Sequence, residues 1–315
     1  MIRMKTRGGV PAARSWDIEV RGLTKTFGTV EAVADLGFTV APGTVTAFLG
    51  PNGSGKTTTM RMLLGLVTPT SGHATIGGLR YAELPRPAAT VGAVLDTSGF
   101  HPDHTARDHL GVYARLGGFA PSRVREVMDL VGVTPFAGRR TRALSTGMRR
   151  RLHLATALLG DPRVLLLDEP GNGLDPEGIA WLRRFLRELA AEGRTILVSS
   201  HVLSEVEQMA EHAVMIRGGR LVAAGAVTDL YGEAAVRVRS PQAGPLTAAL
   251  LAAHPGAVRV ETVEPDTLRV HGLSTAAIAA EATARGVPLH EITPERPTLE
   301  HAFLQLTGNN QGDTR

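Results

Sequence analysis

Val45-Thr-Ala-Phe-Leu49 runs straight into Gly50-Pro-Asn-Gly-Ser-Gly-Lys56-Thr57. The second stretch fits G-x-x-x-x-G-K-[ST], with an apolar strand pattern before it and a helical pattern after it, from Lys56 to about Leu66. Glycines let the backbone curl so that successive N–H groups point inward at phosphate oxygens. The N-terminus of the following helix adds its partial positive charge. Gly50, Pro51, Asn52, Gly53, Ser54, Gly55, Lys56, Thr57 and Thr58 are therefore candidate nucleotide-binding residues. Lys56 is expected to reach the β- and γ-phosphates, and Thr57 to ligate Mg²⁺ through its hydroxyl. Alone, the motif defines a P-loop nucleotide binder and not which one.

Val164-Leu-Leu-Leu-Asp168-Glu169 supplies a second half. A buried apolar strand would deliver Asp168 to its C-terminal end beside the P-loop, where it can hold Mg²⁺. Glu169 can then orient and deprotonate an attacking water. A GTPase would want Asn-Lys-x-Asp to read guanine, and no lysine follows Lys56.

Working outward, short β-like runs at Ile18–Val20, Phe38–Val40, Val91–Leu95 and Ile196–Ser199 alternate with helical patterns, densest over residues 105–160 with stops near Gly117-Gly118, Gly132 and Gly138. Ala213–Ile216 and Leu221–Ala223 read as a hairpin across Gly218-Gly219. The pattern argues for an α/β core with a largely parallel sheet. Residues 1–16 read as a flexible tail, 17–225 as the nucleotide-binding domain and 226–315 as an accessory domain. In the last part, the order strand, helix (245–254), strand (257–262), strand (267–271), helix (274–286), strand (288–293), helix (298–307) resembles a ferredoxin-like α+β unit.

Composition narrows the classes. The 315 residues include no cysteine, which excludes disulfides, thiol catalysis and iron–sulfur clusters. No apolar run is long enough to cross a bilayer, and Met1–Arg14 lacks the apolar core of a secretory signal, so a cytoplasmic location is expected. Of 34 basic residues only Lys5, Lys25 and Lys56 are lysines, an arginine bias that fits a GC-rich genome. The basic excess belongs to residues 1–225, with 27 basic against 20 acidic groups; residues 226–315 carry 7 against 10.

Between the two nucleotide motifs lies Leu144-Ser145-Thr146-Gly147-Met148-Arg149, and after them come Gly173-Leu174-Asp175-Pro176 and then His201 behind Ser199-Ser200. These resemble, in order and spacing, the signature, D-loop and switch histidine of ATP-binding-cassette (ABC) ATPases over residues 17–225. The whole chain is similar to stand-alone ATP-binding subunits of bacterial multidrug or antibiotic exporters. The resemblance implies a P-loop ATPase domain with a helical subdomain that hydrolyses ATP with Mg²⁺. It implies two copies, or paired ATPase subunits, joined head to tail around two ATP molecules, with Lys56, Glu169 and His201 catalytic. Ser145, Thr146 and Gly147 would face the partner's γ-phosphate, Asp175 would join the chains, and Phe27 would stack on adenine where the family usually has tyrosine. A separate transmembrane permease is required, which puts the chain at the inner face of the cell membrane. Asp96 stands where the family usually ends a strand with glutamine. It can ligate Mg²⁺ but, when ionised, cannot donate a hydrogen bond.

Other groups have plainer readings. His101, His104 and His109 lack a fourth metal ligand, and an interface toward the membrane subunit is the better expectation. Arg139, Arg140, Arg142, Arg149, Arg150 and Arg151 read first as a solvated face. No nucleic acid is expected as a partner, because no aromatics interleave with these arginines. The alternative is a soluble ABC ATPase acting on nucleic acid or ribosomes; a third is a regulatory module with little turnover, motivated by Asp96.

Overall fold

The computed structural model describes residues 15–95, 99–231, 234–295, 298–300 and 302–303. The chain divides into two compact units at Ala226/Val227.

In the first unit the elements follow as β1 (Ile18–Phe27), β2 (Val30–Val40), β3 (Val45–Leu49), α1 (Lys56–Leu63), β4 (Ser71–Ile76), α2 (Pro87–Thr90), β5 (Val91–Val94), α3 (Ala106–Leu116), α4 (Pro121–Leu130), α5 (Thr146–Leu158), β6 (Val164–Asp168), α6 (Pro176–Ala191), β7 (Thr195–Ser200), α7 (Leu203–Met209), β8 (His212–Arg217) and β9 (Arg220–Ala226). Six strands form one sheet in the order β5-β6-β7-β3-β8-β9. All of its pairs are parallel except β8 with β9. Every residue of β3, β6 and β7 is buried, which is why these strands read as unbroken apolar runs rather than alternating ones. Their C-terminal ends therefore converge on the loops that carry Gly50, Asp168–Glu169 and His201, where ligands of open α/β sheets bind.

The hairpin lies where the sequence places it, with positive φ at both Gly218 and Gly219. The second sheet is antiparallel, ordered β2-β1-β4. Its strands run well past the apolar segments visible in sequence, to Phe27 and back to Val30, because register shifts at Val20/Leu23 and beyond let the ladder continue through polar residues. Helix α1 is shorter than expected: Gly65 turns into the left-handed region at φ 67° and its N–H bonds the Met62 carbonyl, closing the helix. In the helical stretch, Thr105 caps α3 by accepting from Asp108 N, while Asp108 reaches back to Thr105 N, a reciprocal capping box.

The second unit contains α8 (Val227–Leu230), β10 (Ala235–Arg239), α9 (Ala243–Ala253), β11 (Arg259–Glu264), β12 (Thr267–His271), α10 (Thr275–Ala284) and β13 (Glu291–Glu295). The sheet is antiparallel in the order β11-β12-β10-β13, so two βαβ halves interleave. Val236, Val238, Leu246, Leu250, Leu268 and Ile278 form its core. Residues 1–14 of the expected 1–16 tail, Asp96 and half of the expected helix 298–307 lie outside the described residues; Trp16 is no tail residue, since it packs against the core and its carbonyl accepts from Thr195 Oγ1 at 2.5 Å.

Candidate functional site

Gly50, at the end of β3, opens the phosphate loop. A Cβ there would stand 2.4 Å from the Ile216 carbonyl oxygen, and one on Gly55, at φ 104°, would stand 2.6 Å from the Ala32 carbonyl oxygen. The backbone thus fits only glycine at both positions. Gly53 also has positive φ, but a Cβ there meets nothing within 4 Å, as expected for a glycine facing an open cradle. The N-terminal end of α1 has no side-chain cap, so its first N–H groups remain available to an anion. Ser54 Oγ is buried and lacks a hydrogen-bond partner, a polar atom that a ligand in the loop can satisfy.

Asn52 to Thr58, Ala32, Asp168 and Glu169 line a cavity of about 190 Å³. Lys56, only 6% exposed, donates from Nζ to the carbonyls of Gly50 (2.7 Å) and Pro51 (3.3 Å) and lies 3.7 Å from Glu169 Oε1. Thr57 Oγ1 donates to Asp168 Oδ2 at 2.6 Å. Ser199 Oγ donates to Asp168 Oδ1 and accepts from Glu169 N at 2.9 Å. His201 Nδ1 lies 2.9 Å from Glu169 Oε2. One continuous set of contacts therefore links the loop, both acids and the histidine across β3, β6 and β7. Glu169 holds φ at 49°, a left-handed conformation uncommon outside glycine and Asx residues, which its bond from N to Ser199 helps fix.

Thr57 and Asp168 place two hard oxygens side by side, the donor set that Mg²⁺ takes beside a phosphate. The residues present fit that ion. Ser199 was not singled out by sequence; the only signal was its position two residues before His201.

The remaining expected residues stand apart from this cavity. Ser145 caps α5, its Oγ accepting from Met148 N at 3.3 Å, with Thr146 and Gly147 in the first turn. None of the three lines the cavity. Asp175 caps α6 through Gly178 N at 2.8 Å and is exposed. Phe27 is 49% exposed at the end of β1, with Lys25 Nζ 4.9 Å from its ring centre.

Two of the plainer readings change. The arginines divide: Arg139, Arg140, Arg142 and Arg149 are exposed as expected, with Arg140 and Arg142 paired to exposed Asp103, whereas half-buried Arg151 donates to the Val131 carbonyl and lies over the Trp181 ring, and half-buried Arg150 donates to the Asn172 carbonyl. Burial lowers the pKa of Arg150, against the opposing pull of Glu169 and Asp168. His109 points inward, 4% exposed, between Phe100 and Tyr113, so it is a core histidine rather than part of an interface. Among the described residues no cluster of His, Asp and Glu has the form of a metal site.

The parallel sheet, phosphate loop and acid pair together define a P-loop nucleotide hydrolase. A family model described as "ABC transporter" matches residues 33–172, and one described as a domain of unknown function matches residues 234–300. The chain is 34% identical over 296 residues to the bacitracin transport ATP-binding protein BcrA of Enterococcus faecalis, covering 92% of this chain and 96% of that one. It is 35% identical over 313 residues to the Nod factor export ATP-binding protein I of Paraburkholderia xenovorans, covering 94% and 98%. A solved ATP-binding subunit of an ABC transporter superposes with a TM-score of 0.62 at 28% identity, over 68% of this chain and 91% of that one. The chain belongs to the ABC transporter family. It is an ATP-binding subunit of the exporter type and an ATPase.

Proposed function

We propose that the chain powers export by closing as a head-to-tail pair around two ATP molecules, and that the contact chain Thr57–Asp168–Ser199–Glu169–His201 is the hydrolytic centre. That chain is the observation that carries the reading. Lys56 exchanges its carbonyl and carboxylate partners for the β- and γ-phosphates. Glu169 accepts the proton of the attacking water, and His201, already 2.9 Å from that carboxylate, orients it and contacts the γ-phosphate. Mg²⁺, held by Thr57 and Asp168, supplies charge neutralisation at the phosphates. Asp96 is a further candidate ligand for it. Phe27 offers a half-exposed ring for adenine.

The cavity is lined by residues 52–58 with Ala32, Asp168 and Glu169 and not by residues 145–147 of the same chain, which is compatible with a second copy supplying its signature turn. Ser145, Thr146 and Gly147 then present a helix N-terminus to the partner's γ-phosphate, and exposed Asp175 meets the facing chain.

A separate permease is the other partner. No helix among the described residues is long and apolar enough to cross a membrane. An apolar groove of about 480 Å³, lined by Leu64, Leu66, Tyr113, Leu116 and Phe119, leaves Leu66 68% and Leu116 78% exposed. Large apolar side chains gathered at a surface mark a docking site, here for a permease segment at the inner face of the membrane. The relatives are named for bacitracin transport and Nod factor export, and export of a small molecule is the reading taken from them.

The test is ATP hydrolysis by the native chain and by Glu169→Gln, with co-purification from membranes. The reading requires a higher native rate and a membrane protein retained. Equal rates sink the hydrolytic assignment, and recovery of RNA or ribosomes instead favours the soluble alternative.

A further inference from the structure

Three neighbouring arginines on α5 point to three different places. Arg149 Nε donates to the Leu144 carbonyl at 3.2 Å, and Arg151 Nη1 to the Val131 carbonyl at 3.0 Å. Arg150 alone of the three reaches the loop behind Glu169, its Nε donating to the Asn172 carbonyl at 3.2 Å. That loop is a tight turn built on Glu169 itself: Asn172 N bonds the Glu169 carbonyl at 3.2 Å and Leu174 N the Gly171 carbonyl at 3.1 Å. The first turn of α5 packs on the same loop. A Cβ on Gly173 would stand 2.8 Å from Thr146 Cγ2, and one on Gly147 would stand 3.7 Å from Leu174 Cδ2. The Ser145–Gly147 turn thus lies against Gly173 and Leu174, and their loop is hydrogen-bonded to the Glu169 carbonyl through Asn172 N.

Arg150 Nη1 is sealed from solvent and has no hydrogen-bond partner. A buried unsatisfied donor is unfavourable, so the observed arrangement leaves a gain open to any loop shift that brings an acceptor to it. Asp168 and Glu169 lie close enough to act on this guanidinium electrostatically.

We propose that Arg150 is a positioning residue that ties the partner-facing signature turn, residues 145–147, to the Glu169–Asp175 loop of the same chain. Seating of one nucleotide against the signature is thereby transmitted to the carboxylate serving the other nucleotide. The transmission rests on the head-to-tail reading above. The tie itself is intramolecular.

The test uses the full chain as native protein, Arg150→Met, which keeps the stem and removes the donors, and Arg150→Lys, whose ammonium can still reach the Asn172 carbonyl. Without nucleotide, amide exchange at residues 172–174 is expected to quicken about tenfold in Arg150→Met and to stay near native in Arg150→Lys. In steady-state hydrolysis the Hill coefficient, which cannot exceed the number of sites, falls toward one in Arg150→Met while Arg150→Lys retains it. A plain loss of stability moves the melting temperature but not the Hill coefficient; if the Met variant does not fold, Arg150→Gln makes the same comparison. Unchanged exchange and Hill coefficient in Arg150→Met overturn the proposal, as does a native Hill coefficient of one. ATP-dependent dimerisation of Glu169→Gln, read by light scattering, separates the causes. Its absence removes the two-chain reading and the transmission with it. A normal dimer beside an Arg150→Met chain that matches native in both readouts removes the Arg150 assignment alone.

Discussion

The Lys56 ammonium stands 3.7 Å from Oε1 of Glu169 while donating to the carbonyls of Gly50 and Pro51. One cation therefore serves both the phosphate loop and the acid that faces it. In the proposed function a triphosphate, with more charge at shorter range, displaces Glu169 from that cation and leaves the carboxylate to accept a proton. Replacing Lys56 by Met is expected to weaken ATP binding about a hundredfold, since a charge-assisted contact to phosphate is worth roughly 2–3 kcal/mol. Titration with a fluorescent ATP analogue reads this directly, and native affinity in the variant would contradict the assignment.

Glu169→Gln keeps the side chain's size but removes the carboxylate proposed as the base. The expected loss of turnover is about 10²- to 10⁴-fold, with ATP binding retained because the phosphate loop is untouched. Phosphate release gives the rate and equilibrium binding gives the affinity. Loss of both together would mean that Glu169 holds the loop rather than the water.

How far this centre could be read from sequence depends on what fixes each residue. Gly50, Gly55, Lys56 and Thr57 were legible because loop backbone and phosphate chemistry leave little choice of residue there, and Asp168–Glu169 because an apolar strand ends in them. Ser199 was not, since a serine acquires meaning only when β6 and β7 lie side by side and bring its hydroxyl between two acids. Strand β4, Ser71-Gly-His-Ala-Thr-Ile76, carries almost no apolar signal and is a strand because β1 offers it a ladder. The inward aim of Arg150 was hidden for the same reason: three consecutive arginines look alike until the helix direction separates them.

That β1–β4 ladder depends on one glycine. Gly72 has φ 73°, and a Cβ there would stand 2.1 Å from the Gly22 carbonyl oxygen and 2.6 Å from that of Arg21. Neither backbone can retreat without breaking the pairing of Arg21 with His73. Gly72→Ala is expected to cost roughly 2 kcal/mol or more of stability, from the left-handed backbone and the clash together. Urea unfolding should show a lower midpoint with an unchanged slope, and a midpoint equal to native would remove the argument.

His109 gives the molecule a pH dependence whose sign follows from its surroundings. Thr156 Oγ1 donates to the Leu152 carbonyl at 2.9 Å, so its hydroxyl proton is engaged and it accepts from His109 Nε2 at 3.0 Å. The ring is neutral and packed against Phe100 and Tyr113. Burial first, then the nearby His153 and His104, lower its pKa from 6.5 to about 4. Between those two values the unfolded chain takes up a proton that the native chain refuses. Stability from this residue is therefore complete above pH 6.5, declines as pH falls toward 4 and is flat below. From pH 7.5 to pH 5 the loss amounts to about 2 kcal/mol. In His109→Leu this component vanishes, and Thr156 keeps its bond to Leu152, so no hydroxyl is orphaned. Urea unfolding of both chains at the two pH values isolates it as the difference of differences, with the native chain expected to lose about 2 kcal/mol more than the variant. Equal losses would mean that His109 becomes charged within the fold at no extra cost, and the buried neutral ring could not then be maintained.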